Sequence, residues 1–188
     1  MPVAETASNF NELIIVNDAI AKATGEEKIM LIESQIQDCT QIIADIYSRF
    51  LFEDEVFRKR KSTFLFPKEL EEIMLNAQKE AYGDGLDPNF LHPYMWCCKS
   101  HYYRAGLSYY NFPYAFGGLF SRGLYAKYLE EGEAFLPKYR KLLNATTVDT
   151  VENVAGIAGI DLTQPDFWRK SLQMIADQID ELINETSK

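Results

Sequence analysis

Cysteine is scarce in this chain, and the three present, Cys39, Cys97 and Cys98, have neither an even count nor metal-type spacing. Neighbouring cysteines pair only with strain, so a disulfide framework is excluded and reduced thiols in the cytosol are expected. A surplus of positive charge is missing too, with a formal net charge of -9 and a pI near 4.8. Phosphate contact needs a concentrated positive field, which excludes nucleic acid and anionic membrane surfaces as partners. The one basic run, Arg58-Lys-Arg-Lys61, reads as a solvated helix end. No stretch of about 20 apolar residues occurs and no charged-then-apolar leader opens the sequence. Neither membrane spanning nor export is therefore expected, and the cytoplasm is the expected location. Sustained β alternation, hairpin signals, internal repeats and low-complexity tracts are also absent, which leaves an all-α fold class.

What the chain has in quantity is apolar and aromatic surface. Hydrophobic residues make up 47% of the 188 positions, with 12 Phe and 11 Tyr, enough to bury a real core and to leave many phenol hydroxyls in need of partners. Length predicts a single helical domain over 1–188. From Glu5 to Thr24 the positions Phe10, Leu13, Ile14, Val16 and Ile20 recur with helical spacing, and Gly25 is a natural stop. A longer pattern through Ile29, Ile32, Ile36, Cys39, Ile43, Ile46, Phe50 and Phe57 predicts one amphipathic helix over 26–60. Pro67 opens a third helix, carrying Leu70, Ile73, Met74 and Ala77, that Gly83-Asp-Gly85 ends.

Residues 94–116 predict short helical pieces and turns. A helix from about Pro113 to Leu129 follows, in which Gly117, Gly118 and Gly123 permit close approach of another helix or of a ligand. Further helices are predicted over 133–143 and 147–157, the second opened by a capping box at Thr146-Thr-Val-Asp149. Thr163-Gln-Pro-Asp166 signals the last helix in the same way, with an apolar stripe of Leu172, Ile175, Ile179 and Leu182.

Two segments could carry chemistry. In Glu5-Thr-Ala-Ser-Asn-Phe-Asn-Glu12 the two glutamates lie about two helical turns apart, so a helix through them puts both carboxylates on one face, an arrangement that suits a metal ligand with a supporting partner. The second, His101-Tyr-Tyr-Arg-Ala-Gly-Leu-Ser-Tyr-Tyr-Asn-Phe-Pro-Tyr114, gathers one of only two histidines with five tyrosines. Imidazole and phenol donors can stabilise the oxyanion that develops when a carbonyl is attacked. By composition alone, the favoured reading of the same segment is buried tyrosines with structural partners around a core histidine.

These motifs, together with Phe120-Ser-Arg-Gly-Leu-Tyr125 and Gly159-Ile-Asp-Leu-Thr-Gln-Pro-Asp-Phe-Trp168, resemble the C-terminal part of oligoendopeptidase F, a member of the thimet oligopeptidase family of zinc peptidases. The resemblance runs over essentially the whole chain. It implies an all-α portion of a zincin-type oligopeptidase that hydrolyses short peptides with one zinc ion. It also implies that Glu5 is a zinc ligand, that Glu12 supports a ligand histidine by hydrogen bonding, and that His101, Tyr110 and Tyr114 steady the tetrahedral intermediate. Tyr103 and Tyr109 correspond less closely, because the spacing between the histidine and the last tyrosine varies within the family.

The family's other zinc ligands and its general base lie in a His-Glu-x-x-His helix, which this sequence lacks. Its histidines, His92 and His101, are nine apart and neither precedes a glutamate. Catalytic zinc takes three protein ligands and leaves a position open to water. The chain alone is therefore expected to be an inactive fragment, with self-association through apolar helix faces. A non-catalytic helical scaffold using the aromatic segment as a partner surface is the alternative. A thiol catalyst built from Cys97 or Cys98 with His101 is a third reading.

Overall fold

Apolar spacing of three and four residues folds as helix wherever it occurs in this protein. The computed structural model describes residues 2–187, and among them there are nine α-helices and no strand. The all-α class is thus observed. The molecule contains two compact units, one formed by Thr40–Ala115 and the other by the described residues on either side of it.

The two-segment unit begins with α1 (Thr6–Lys22), which buries Phe10, Leu13 and Ile20, and continues into α2 (Gly25–Thr40). Gly25 does more than stop α1: with φ at +58° it turns the chain and opens α2. The unit also holds most of α6 (Phe112–Glu131), then α7 (Leu136–Ala145), α8 (Val151–Ile157) and α9 (Pro165–Thr186). Phe10, Phe120, Leu124, Phe135, Leu142 and Val154 are fully buried in one core, where the rings of Phe10 and Tyr139 stack at 4.2 Å. Gly123 serves close helix packing, since a Cβ there would sit 2.3 Å from the Phe167 ring of α9.

Two helix starts differ from the sequence expectation. The N-cap of α8 is Thr150, whose hydroxyl accepts the Asn153 N–H at 3.3 Å, while the Thr146 hydroxyl donates back to the Leu143 carbonyl at the end of α7. Before α9, Thr163 donates to Asp161, and the helix starts without a side-chain cap on Pro165, which lacks an N–H to satisfy and has its φ preset for helix. The α9 stripe also differs: Ser171 is its buried residue, while Leu172 and Ile179 face solvent.

The unit Thr40–Ala115 opens with a π-helical turn, Gln41–Asp45, that runs directly into α3 (Ile46–Arg60). Helix α4 (Pro67–Tyr82) begins with Pro67, has Glu69 accepting the Phe66 N–H at 2.9 Å, and ends at Gly83 with φ at +55°. Phe52, Val56, Leu65, Ile73, Met74 and Ala77 form the unit's core. Helix α5 (Met95–Cys98) and a 3-10 turn, Ser100–Tyr102, belong to the irregular segment expected over 94–116. The helical stretch expected over 26–60 is present, but its second half turns another face inward. Phe50 and Phe57 are half exposed, whereas Ser48, Arg49 and Glu53 are buried. A π turn carries one extra residue, and one residue rotates everything after it by about 100°.

Candidate functional site

The tyrosine-rich segment is organised by its backbone before its side chains come into play. The Tyr109 N–H donates to the His101 carbonyl at 2.8 Å and Tyr109 adopts φ of +61°, a conformation that costs a non-glycine residue about 1–2 kcal/mol. Asn111 N–H then bonds the Tyr109 carbonyl at 3.0 Å, and Tyr114 N–H the Asn111 carbonyl at 3.0 Å, which starts α6. This chain of bonds folds Tyr114 back onto the 3-10 turn that holds His101. The rings meet edge to face with centroids 5.8 Å apart, and Nε2 of His101 lies 3.4 Å from Oη of Tyr114. Tyr110 packs edge-on against Tyr114 at 5.2 Å.

A separation of 3.4 Å is long for a hydrogen bond, so both polar atoms retain most of their capacity for a third group. They border a cavity of about 310 Å³ lined by Gln41, Ile42, Ile46, Arg49, Lys99, His101 and Tyr114. Burial holds the His101 imidazole below its ordinary value, and the charges of Arg49, Arg104 and Lys99 push the same way. The ring is therefore neutral near pH 7, with one N–H to donate. Its Nδ1 atom is buried without a partner.

Arg49 ties this cavity to a buried polar chain that no apolar pattern announces. Its guanidinium bonds Asp45 and donates through Nη1 to the Asn111 side-chain oxygen at 3.0 Å, while the Asn111 amide donates onward to Glu53. Burial pushes the Glu53 carboxyl up to about 7, against the opposing pull of Asn111, Tyr102 and Arg49. The sequence did hold a signal for it: Asp45, Arg49 and Glu53 recur every four residues, a polar stripe on one face of an otherwise apolar helix.

Tyr102, Tyr103 and Tyr109 line a separate apolar cavity of about 380 Å³, together with Phe52, Phe57, Arg60 and Trp96. Tyr109 packs there against Phe57, with ring centroids 4.7 Å apart and planes tilted by 55°. The five tyrosines thus fall into two sets, with Tyr110 and Tyr114 on the His101 side and the other three around the second cavity.

In the two-segment unit Glu5 occupies the N-cap position of α1 and is half-buried. Its carbonyl accepts the Ser8 hydroxyl and the Asn9 N–H. Gly117 of α6 lies directly behind it, because a Cβ on Gly117 would come within 2.9 Å of the Glu5 Cβ. Only glycine lets the two backbones sit so close. Glu12 is exposed further along α1. The three cysteines are free thiols, Cys39 buried beside Arg122 and the other two exposed. Among the described residues no group of three or more His, Cys, Asp or Glu could hold a metal ion, and no helix is long and apolar enough to cross a membrane.

Oligopeptidase PepF from Bacillus subtilis (strain 168) is 24% identical to this chain over 182 residues, which is 96% of the chain. The chain is homologous to part of an oligoendopeptidase F. It spans 27% of the length of that relative. The crystal structure of oligoendopeptidase-F from Enterococcus faecium superposes with a TM-score of 0.84 at 20% identity, over 99% of this chain and 36% of that one, so the helical fold is shared. No family model matches the sequence.

Proposed function

We propose that the chain carries the glutamate ligand and the oxyanion-stabilising wall of a zinc oligopeptidase acting on short peptides, and that it is inactive by itself. The observation that carries this reading is the approach of His101 and Tyr114 beside a cavity, the two residues that the family resemblance assigns to the tetrahedral intermediate. Glu5 fits the ligand role in being half-buried and backed by Gly117, but one glutamate does not make a zinc site. The remaining ligands and the general base belong to the motif this sequence lacks. Glu12, exposed on α1, is the proposed support for a ligand histidine.

In this reading the chain's own part in hydrolysis is electrostatic. The substrate carbonyl oxygen gains charge as it is attacked, and neutral donors from His101 and Tyr114 lie ready without reorganisation. Tyr110, edge-on to Tyr114, fixes the angle of that phenol. We further propose that the chain self-associates through apolar helix faces.

The test joins the chain to a polypeptide supplying His-Glu-x-x-His and follows cleavage of a fluorogenic short peptide. The joined protein is expected to cleave and the isolated chain not, with Tyr114→Phe in the joined protein lowering kcat about 100-fold to 1,000-fold. Stoichiometric zinc and cleavage by the isolated chain, or full kcat in the Tyr114→Phe protein, would overturn the reading.

A further inference from the structure

The cavity beside His101 and Tyr114 is electrostatically at odds with the rest of the molecule. The chain carries a net charge of -9, yet two cationic side chains, Arg49 and Lys99, line this cavity and no acidic residue does. The charges felt most by the His101 ring are likewise all positive, those of Arg49, Arg104 and Lys99. In an acidic protein such a potential has to be built locally.

The two cations differ in what they can offer. Arg49 is buried, ion-paired with Asp45 and bonded to Asn111, so it contributes a fixed charge that Asp45 partly offsets and an Nε that lacks a partner. Lys99 follows α5 on an extended backbone, is half-buried, and forms no ion pair among the described residues. Its ammonium is mobile on a four-carbon stem and can follow an anion into the cavity. The Gln41 amide adds a neutral donor to the same lining, while Ile42 and Ile46 make one wall apolar.

A volume of about 310 Å³ stands at the small end of ligand cavities, which run from about 300 to 1,000 Å³. This combination suits a carboxylate with an adjoining apolar side chain. We propose that the cavity, through Gln41, Arg49 and Lys99, binds the C-terminal carboxylate of a short peptide, with its last side chain against Ile42 and Ile46 and the Tyr114 hydroxyl left to the reacting carbonyl. The inference rests on the short-peptide reading of the function and adds to it a reason for shortness: a chain end held beside His101 and Tyr114 fixes how many residues separate that end from the reacting bond. Every short peptide has such a carboxylate, whereas the backbone of an internal segment of a long chain offers only neutral amides.

Calorimetric titration of the full chain with N-acetyl-leucyl-leucine and with its C-terminal amide tests this. The free acid is expected to bind at least about tenfold tighter, the effect of one charge-assisted hydrogen bond. Lys99→Gln, at a half-buried position outside the buried polar chain, should remove most of that difference while leaving helicity intact. Arg49→Lys is the second variant, with a smaller expected loss, because the background charge survives. Equal binding of acid and amide, absence of binding by either, or an amide with an internal aspartate binding as tightly as the acid, would each overturn the assignment. Binding needs neither zinc nor Glu5, so its failure is distinguishable from failure of the peptidase reading, which the cleavage assay reports separately.

Discussion

A carboxyl group shut away from water holds its proton, and Glu53 does so up to about pH 7 because burial outweighs the donors around it. Its ordinary value is 4.5, so the folded chain binds this proton more tightly than the unfolded one. The sign follows: stability from Glu53 is fully present below about pH 4.5 and is lost as pH rises through about 7. Urea titrations at pH 5 and pH 7.5 should show wild type losing stability relative to Glu53→Gln over that interval, since the amide has no proton to give up. Parallel curves for the two proteins would remove Glu53 as the cause. Gly117 makes a second prediction at this scale. Ala at a helix interior normally gains about 1 kcal/mol over Gly, but here the new methyl would meet the Glu5 Cβ at 2.9 Å. Overpacking of this kind costs about 1–3 kcal/mol, so Gly117→Ala is expected to be destabilising or neutral despite its better propensity, as thermal unfolding would show.

At the scale of elements, the decisive feature is the π turn Gln41–Asp45, which brings Asp45, Arg49 and Glu53 to the inside of α3. Removing one member of a buried pair strands the other charge, so Arg49→Leu should cost about 3–5 kcal/mol in urea unfolding. The double change Asp45→Leu with Arg49→Leu should cost less than the single one, because no lone carboxylate remains. A double variant less stable than Arg49→Leu would mean that the pair matters for packing rather than charge. The same turn shows what was legible in the sequence. Helices α1, α4 and α6 could be read directly from local signals: apolar spacing and Gly25 for α1, Pro67 and Gly83 for α4, and Pro113 for α6. The inward face of α3 could not, because spacing assumes 3.6 residues per turn and one extra residue displaces it. The approach of His101 to Tyr114 has a local basis of the same kind, since both belong to one contiguous segment. The bond between Arg49 and Asn111 joins residues far apart in the chain, and the division of the tyrosines between two cavities depends on the backbone of Tyr109. Neither follows from any pattern of neighbouring residues.

For the molecule as a whole, the feature with the largest consequence is an apolar helix surface open to water. Helix α9 carries such a surface. Its Gln178 bonds Gln35 of α2, and its Glu181 and Glu185 pair with Lys28 of the same helix. Away from these contacts Leu172, Ile179 and Ile183 remain 46%, 40% and 55% exposed. Their spacing of seven and four residues aligns them along one side of α9. The exposed side chains of Ile15 and Met30, each 69% exposed on α1 and α2, add apolar area to the same unit. Water around such a stripe is released when a second copy covers it, which opposes the repulsion between two chains of net charge -9. Salt screens that repulsion and leaves the apolar term intact, so association should strengthen as salt increases. Sedimentation at rising protein concentration is expected to show dimers or larger species, more of them at 0.5 M than at 0.05 M salt. Ile179→Lys with Ile183→Lys should return the chain to monomer without loss of helix, because both positions face solvent. A concentration-independent monomer in wild type, or a double variant that associates as wild type does, would show that the stripe on α9 is not what joins the copies.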